Sequence, residues 1–387
     1  MRRSLRKLII TLVLAVAALA ALLYKFRNSL AGGAFHWSVL GNSWRHANPY
    51  LLLLGVVSTY VAYLIRAFRW KRMSRYLGPS KIASLYSATL MGFACLVILG
   101  RAGEPIRPLL IARKEKLPIS GMFGVYLLER ALDVGATAVF AGLALIAISR
   151  RGLTAASGIP LVHAMQAGGA LFLVAFAVLT AFLVYFRLHG AGVVARRFEQ
   201  SVLEGKNRTG WRAKIAALIA GLSEGLHALR TWGDLGAAVA WTAAHWILVV
   251  YIYVWLAHAF GGRLAALTFS GAMLVLASTM VGSALQLPVG GGGAQVATFL
   301  VFTVIFGVED EPAAAAAISI WLITFASSIL VGVPLLLREG WSMGELRRVA
   351  SAEREAVVLE AEEHMAQEHP AKGAREENGG AKGDARL

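Results

Sequence analysis

The chain has 387 residues, 57% of them hydrophobic and only 16% charged, which is too apolar for a water-soluble domain and fits a membrane protein. The net charge is +16, yet residues 338–387 sum to −3, so the rest of the chain carries +19, the excess expected of cytoplasmic loops facing anionic lipid headgroups. No basic, aromatic-interleaved soluble module accompanies that charge, which argues against nucleic acid as a partner, and a single cysteine, Cys95, excludes a disulfide framework or a thiolate metal site.

A helix must supply about 20 apolar residues to cross the hydrocarbon. About eight such runs occur, so the expected fold is an all-α polytopic membrane protein with one or two re-entrant or broken segments and an internal repeat. Residues 8–24 follow Arg2, Arg3, Arg6 and Lys7. This run reads as a retained signal anchor, with cleavage near the small residues 15–21 as the alternative. The second span, 49–65, ends in Arg66, Arg69, Lys71, Arg72, Arg75 and Lys81, a cluster that assigns this end to the cytoplasm.

Residues 82–100 are apolar but are followed by Arg101-Ala-Gly-Glu-Pro-Ile-Arg-Pro and then by Arg113, Lys114 and Lys116. With basic sequence on both flanks, this segment should dip into the membrane and return on the same side. Residues 123–149 then cross outward and 167–186 cross back. The basic stretch 187–235 reads as a cytoplasmic loop, part of which, 211–229, has apolar residues at helical spacing and could lie along the membrane surface.

Residues 236–260 and 267–287 form another out-and-back pair. After Pro288 and four glycines, the run 294–308 reaches Glu309, Asp310 and Glu311, and 313–337 is the last span. Because 294–308 is short for a full crossing, a second re-entrant piece is an alternative, one expected to change the parity of the topology. Acidic residues outside and basic loops inside predict cytoplasmic termini in the cytoplasmic (inner) membrane. Residues 1–341 thus form one transmembrane domain, and 342–387 a charged tail whose end, 370–387, is expected to be disordered.

Two Gly/Pro interruptions, 100–108 and 287–295, fall in corresponding positions of two halves. Unpaired backbone is tolerated in a membrane only where it is buried in protein or lines a wet cavity. Paired breaks point to a midplane binding site between repeats, at which the two segments should approach each other. The second includes Pro288, Gly290, Gly291, Gly292, Gly293 and Gln295. Charge at membrane depth is the other signal. Glu129 and Asp133 share a helical face beside Arg130 and require partners, for which Arg101 and Arg107 are candidates. Glu104 lies beside the same break, and an arginine there suits a bidentate grip on phosphate. Two readings of Arg101, Glu104, Arg107, Glu129, Arg130 and Asp133 stay open, a lipid headgroup site and a structural ion-pair cluster. His245, midway along 236–260, is either a proton relay or a neutral side chain bonded to a neighbouring helix.

No P-loop, zincin, nucleophile-elbow or Cys-x-x-Cys motif occurs, so enzyme chemistry has no local support and no cofactor or metal is expected.

At these residues the chain resembles the flippase-like membrane domain family, which forms the transmembrane region of lysylphosphatidylglycerol synthases. The similarity rests on Arg66 with Arg69 to Arg72, on Arg101, Gly103, Glu104 and Arg107, on Glu129, Arg130 and Asp133, and on the late proline-then-glycines break. Where the family commonly has an acidic residue after the glycines and an arginine in the last long span, this chain has Gln295 and Trp321. In the synthases a soluble aminoacyl-transfer domain follows; here only the tail does, so lysyl transfer is not expected. The resemblance implies a stand-alone membrane lipid translocase or lipid-handling protein. Its expected partners are membrane lipids and, in the alternative reading as a non-catalytic scaffold, an envelope-lipid biosynthesis enzyme. An integral-membrane enzyme using Glu104, Glu129 or Asp133 as acid or base is a third reading.

Overall fold

The computed structural model describes residues 37–149, 231–284 and 292–341, with scattered helical residues between 170 and 181. The first span, the loop 187–230 and the tail, as well as Pro288, Gly290 and Gly291, lie outside the described residues. Within them the protein is all-helical: α1 (Trp37–His46), α2 (Pro49–Met73), α3 (Ile82–Leu99), α4 (Ile106–Glu115), α5 (Ile119–Ser149), α6 (Trp232–His258), α7 (Phe269–Ala284), α8 (Gly293–Leu300), α9 (Asp310–Trp321) and α10 (Ser327–Arg338). Five stretches are long and apolar enough to cross a membrane, namely Pro49–Met73, Ile82–Leu99, Gly121–Ala147, Trp232–His258 and Asp310–Arg338. The chain is a multi-pass membrane protein.

Local sequence sets the ends of the central pair. Asn48 caps α2 by accepting from the backbone of Tyr50 and Leu51, with Pro49 at the first helical position, where its missing N–H goes unmissed. At α6, Thr231 and Asp234 form a reciprocal capping box. The two helices run antiparallel in close contact. Asn48 N–H donates to Ala259 O at 2.8 Å at one end, and Arg72 and Arg75 reach Asp234 at the other, at 3.0 and 3.1 Å.

Around this pair the elements repeat in order. Each half has a long helix, a hairpin of two shorter helices and a further long helical segment. In the first hairpin, α3 runs to a 3-10 turn, Gly100–Gly103, and α4 comes back along it, so that Glu115 accepts from Lys81 N–H at 3.0 Å. Gly103 is required at the tip, because a Cβ there would run into the Cys95 carbonyl. In the second, α7 and α8 pair through the Thr279 and Thr298 hydroxyls, 2.7 Å apart. Gly282 lets the backbone of α8 pass at Gly293. Contacts are exchanged between the halves, with α3 packing on α10 and α7 on α5.

The hairpin bases lie at opposite ends of the α2–α6 pair. The base of the first sits with Lys114, which pairs with Glu339 after α10. The second has its base where Arg263 donates to Gly307 O at 2.7 Å, near the Asn48–Ala259 contact. This is an inverted repeat with a hairpin entering from each end.

The structure adjusts several boundaries. α2 continues to Met73 rather than stopping near residue 65, because Arg66 and Arg69, which look like part of a flanking loop, are helical and buried. α7 has 16 residues and α8 continues through a π-helical turn, Val301–Ile305, so both are shorter than the five stretches long enough to cross. α7 and the α8 stretch run antiparallel, with Gly271 against Phe306 at one end and Gly282 against Gly293 at the other, so α7 begins where the α8 stretch ends. The tip of this hairpin, 285–291, lies outside the described residues, and with it the expected approach of the two breaks.

Candidate functional site

Three elements deliver charge to one point in the first half, and a fourth packs neutral groups against it. Arg66 and Arg69, one helical turn apart on α2, point toward α5, and Glu129 and Asp133, also one turn apart, point back. Arg66 Nη1 lies 3.0 Å from Glu129 Oε1 and 3.2 Å from Asp133 Oδ2. Arg69 Nη1 lies 2.7 Å from Asp133 Oδ1, and its Nη2 also pairs with Glu129. Arg107 arrives from α4 and pairs with the other oxygen of Glu129, its guanidinium 4.6 Å from the centre of the Trp70 ring. Glu129 and Arg69 are fully buried, and Arg66, Arg107 and Asp133 nearly so.

The fourth element, α6, completes the cluster with neutral groups. Thr242 Oγ1 accepts from Arg69 Nη1 at 3.0 Å, and Trp246 Nε1 donates to Asp133 Oδ1 at 3.1 Å. Arg66 Nε donates to His245 Nε2 at 3.1 Å. An arginine can only donate, so this imidazole nitrogen is the acceptor, and Nδ1 carries the hydrogen given to Ala62 O at 3.2 Å. His245 is thereby fixed as one neutral tautomer bonded to a neighbouring helix.

Around the tip, the Tyr126 hydroxyl donates to Glu104 Oε2 at 2.7 Å, and Arg130 stacks 5.2 Å from the Tyr126 ring centre. Among the described side chains, four guanidiniums (Arg66, Arg69, Arg107, Arg130) thus stand with three carboxylates (Glu104, Glu129, Asp133), leaving one positive charge. Buried Nη1 of Arg107 and Nε of Arg69 and Arg130 have no hydrogen-bond partner, and Asp133 Oδ2 has only its ion pair with Arg66. A buried donor left unpaired costs about 1–3 kcal/mol, so the cluster is incompletely satisfied, at Arg107 on the side of the first hairpin among other places.

The structure therefore brings Arg107, Glu129, Arg130, Asp133 and Glu104 into one neighbourhood. The side chain of Arg101 lies outside the described residues; its backbone belongs to the turn at the hairpin tip. His245 joins the cluster. In the second half, Gly292 and Gly293 start α8, and Gln295 lines a separate narrow cleft with Tyr253, Thr279, Thr298, Trp321 and Phe325. Sequence reasoning missed Arg66 and Arg69 as members of the cluster, having assigned them to a cytoplasmic flank, and missed Thr242 and Trp246. Their i, i+3 spacing was the available signal, since it puts both guanidiniums on one face if the helix continues. Among the described residues no group of His, Cys, Asp and Glu could hold a metal ion.

Among known families, the model described as lysylphosphatidylglycerol synthase TM region matches residues 8–332. No curated protein matches the chain.

Proposed function

The chain belongs to the lysylphosphatidylglycerol synthase TM region family, a membrane lipid-related family, and from that premise we propose that it moves a polar lipid between leaflets. On this reading the Arg107 side of the buried cluster holds an anionic, phosphate-bearing headgroup while the acyl tails stay in the bilayer. The observation that carries it is the unpartnered Nη1 of Arg107 in a cluster whose described side chains leave one positive charge in surplus. A phosphate oxygen supplies the missing acceptor and the missing negative charge at once. Glu129 holds the guanidinium in place, and Arg66 and Arg69 hold Glu129. The hairpin tip, where helical hydrogen bonding is interrupted beside the cluster, gives a polar headgroup backbone to lie against.

The reading assigns no bond-making step to the chain and places it in the cytoplasmic membrane with both termini inside. It is tested by reconstituting the purified full chain into phosphatidylcholine vesicles carrying a trace of tail-labelled phosphatidylglycerol and following quenching of the label from outside. The expected result is loss of signal from the inner leaflet, slowed at least tenfold by Arg107→Gln. Wild-type vesicles no faster than protein-free ones would overturn it, leaving the scaffold reading.

A further inference from the structure

Glu104 stands at the tip of the first hairpin, directly after the 3-10 turn Gly100–Gly103. Its backbone is held on both sides. Gly103 lies against the Cys95 carbonyl with no room for a Cβ, and Pro105 fixes the next φ at −71°. The carboxylate is thereby delivered to one place, half-buried beside α5, where Oε2 accepts from the Tyr126 hydroxyl at 2.7 Å. That is its one described hydrogen bond, and among the described residues no cation forms an ion pair with it.

Glu104 differs in this from the carboxylates near it. Glu129 is bound by three arginines and Asp133 by two, so a structural ion-pair network accounts for both. It does not account for Glu104. An ionised side chain at membrane depth finds a counter-charge or marks a site, and a carboxylate with one oxygen bonded keeps acceptor capacity on the other.

The guanidiniums around Tyr126 are in the opposite condition. Arg130 lies 5.2 Å from the Tyr126 ring centre, forms no ion pair among the described residues, and has its Nε unpartnered. Arg107, three residues after Glu104, has its Nη1 unpartnered. The charges of Arg130, Glu104 and Arg107 all act on Tyr126, so an unfilled acceptor and unfilled donors share one neighbourhood.

We infer that Glu104 is a specificity-determining residue of the proposed lipid site: while the phosphate lies on the guanidiniums, Glu104 Oε1 accepts from a hydroxyl or ammonium that the headgroup carries beyond its phosphate. Tyr126 is a positioning residue that holds the carboxylate through Oε2 and leaves Oε1 for the headgroup. A headgroup without such a donor takes the acceptor out of water and gives it no partner, and is disfavoured for that reason. The inference rests on the proposed lipid-binding function, and the following experiment separates the two.

Purified full-length protein is offered two matched pairs of lipids with identical tails, and native mass spectrometry counts the lipids retained. Phosphatidylglycerol and phosphatidylethanol both carry one negative charge, but only the first has headgroup hydroxyls. Phosphatidylethanolamine and phosphatidylcholine are both zwitterionic, but only the first has N–H donors. Wild type should retain the donor-bearing lipid about fivefold or more over its match in at least one pair, and the pair that discriminates identifies the donor as hydroxyl or ammonium. Glu104→Leu should erase the preference. In Glu104→Gln the carbonyl stays with Tyr126 and an amide nitrogen stands where Oε1 stood, so the preference should fall about threefold or more; this variant carries the test if the leucine one does not fold. No preference in wild type, or an undiminished one in the variants, overturns the inference, and the proposed function stands as long as Arg107→Gln retains less of both anionic lipids. If Arg107→Gln retains them as well as wild type, the proposed function falls instead.

Discussion

Arg69 of α2 and Asp133 of α5 are 64 residues apart in the chain and in hydrogen-bond contact at 2.7 Å, in a position where the arginine has no exposed surface at all. The pair fastens the central helix of the bundle to the long helix of its own half, and Glu129 one turn away doubles the fastening.

Breaking this contact from one side leaves a buried charge without its counter-charge. Arg69→Gln and Asp133→Asn are each expected to destabilise the fold by about 3–5 kcal/mol, and the double variant by less than the sum. Thermal unfolding midpoints of purified protein in detergent check this. Two single variants that unfold with wild type would show that the cluster does not hold α2 to α5.

His245 accepts from Arg66 Nε, so an apolar replacement orphans that donor. His245→Leu should cost about 1–3 kcal/mol, and His245→Gln, whose carbonyl can accept, should recover part of the loss. If leucine is tolerated as well as glutamine, the hydrogen bond to Arg66 contributes nothing to the fold. The same denaturation measurement reads both.

Two glycines make opposite predictions. At Gly103 an added methyl group meets the Cys95 backbone, which cannot move without opening the first hairpin, so Gly103→Ala should reduce folded yield sharply. At Gly236 nothing lies within 4 Å, and the residue is helical and exposed, so Gly236→Ala should add about 0.5–1 kcal/mol. Amide exchange along α3 and α4 distinguishes a local opening from a global one. Normal protection in Gly103→Ala would contradict the close approach described at the tip.

Cytoplasmic termini are the outcome expected from Arg2, Arg3, Arg6 and Lys7 and from Lys71, Arg72, Arg75 and Lys81, the basic residues that stay outside the buried cluster. A periplasm-dependent reporter fused after Leu387 should stay inactive, and one inserted at Glu309, between the second hairpin and α9, should be active. The reverse pattern would invert the whole assignment while leaving the repeat intact.

The sequence alone determined the solvent and most of the architecture. Apolar runs of fixed length, basic flanks and Gly/Pro breaks are one-dimensional signals, because hydrocarbon demands continuous helix and tolerates interruption only inside protein. The pairing of Glu129 and Asp133 on one face was legible for the same reason, since i, i+4 spacing is local. Of their partners, Arg107 was legible as a candidate beside the first break, but Arg66, Arg69 and Trp246 were not, because they come from helices 60 to 113 residues away meeting at one depth. Only the tertiary structure moved Arg66 and Arg69 from a cytoplasmic flank into the core, since the point where α2 ends is decided by packing against α5 and α6 rather than by hydropathy. Likewise only the fold decided that α7 and α8 return together to one end of the bundle, because a short apolar run reads the same whether it crosses, turns back or stops.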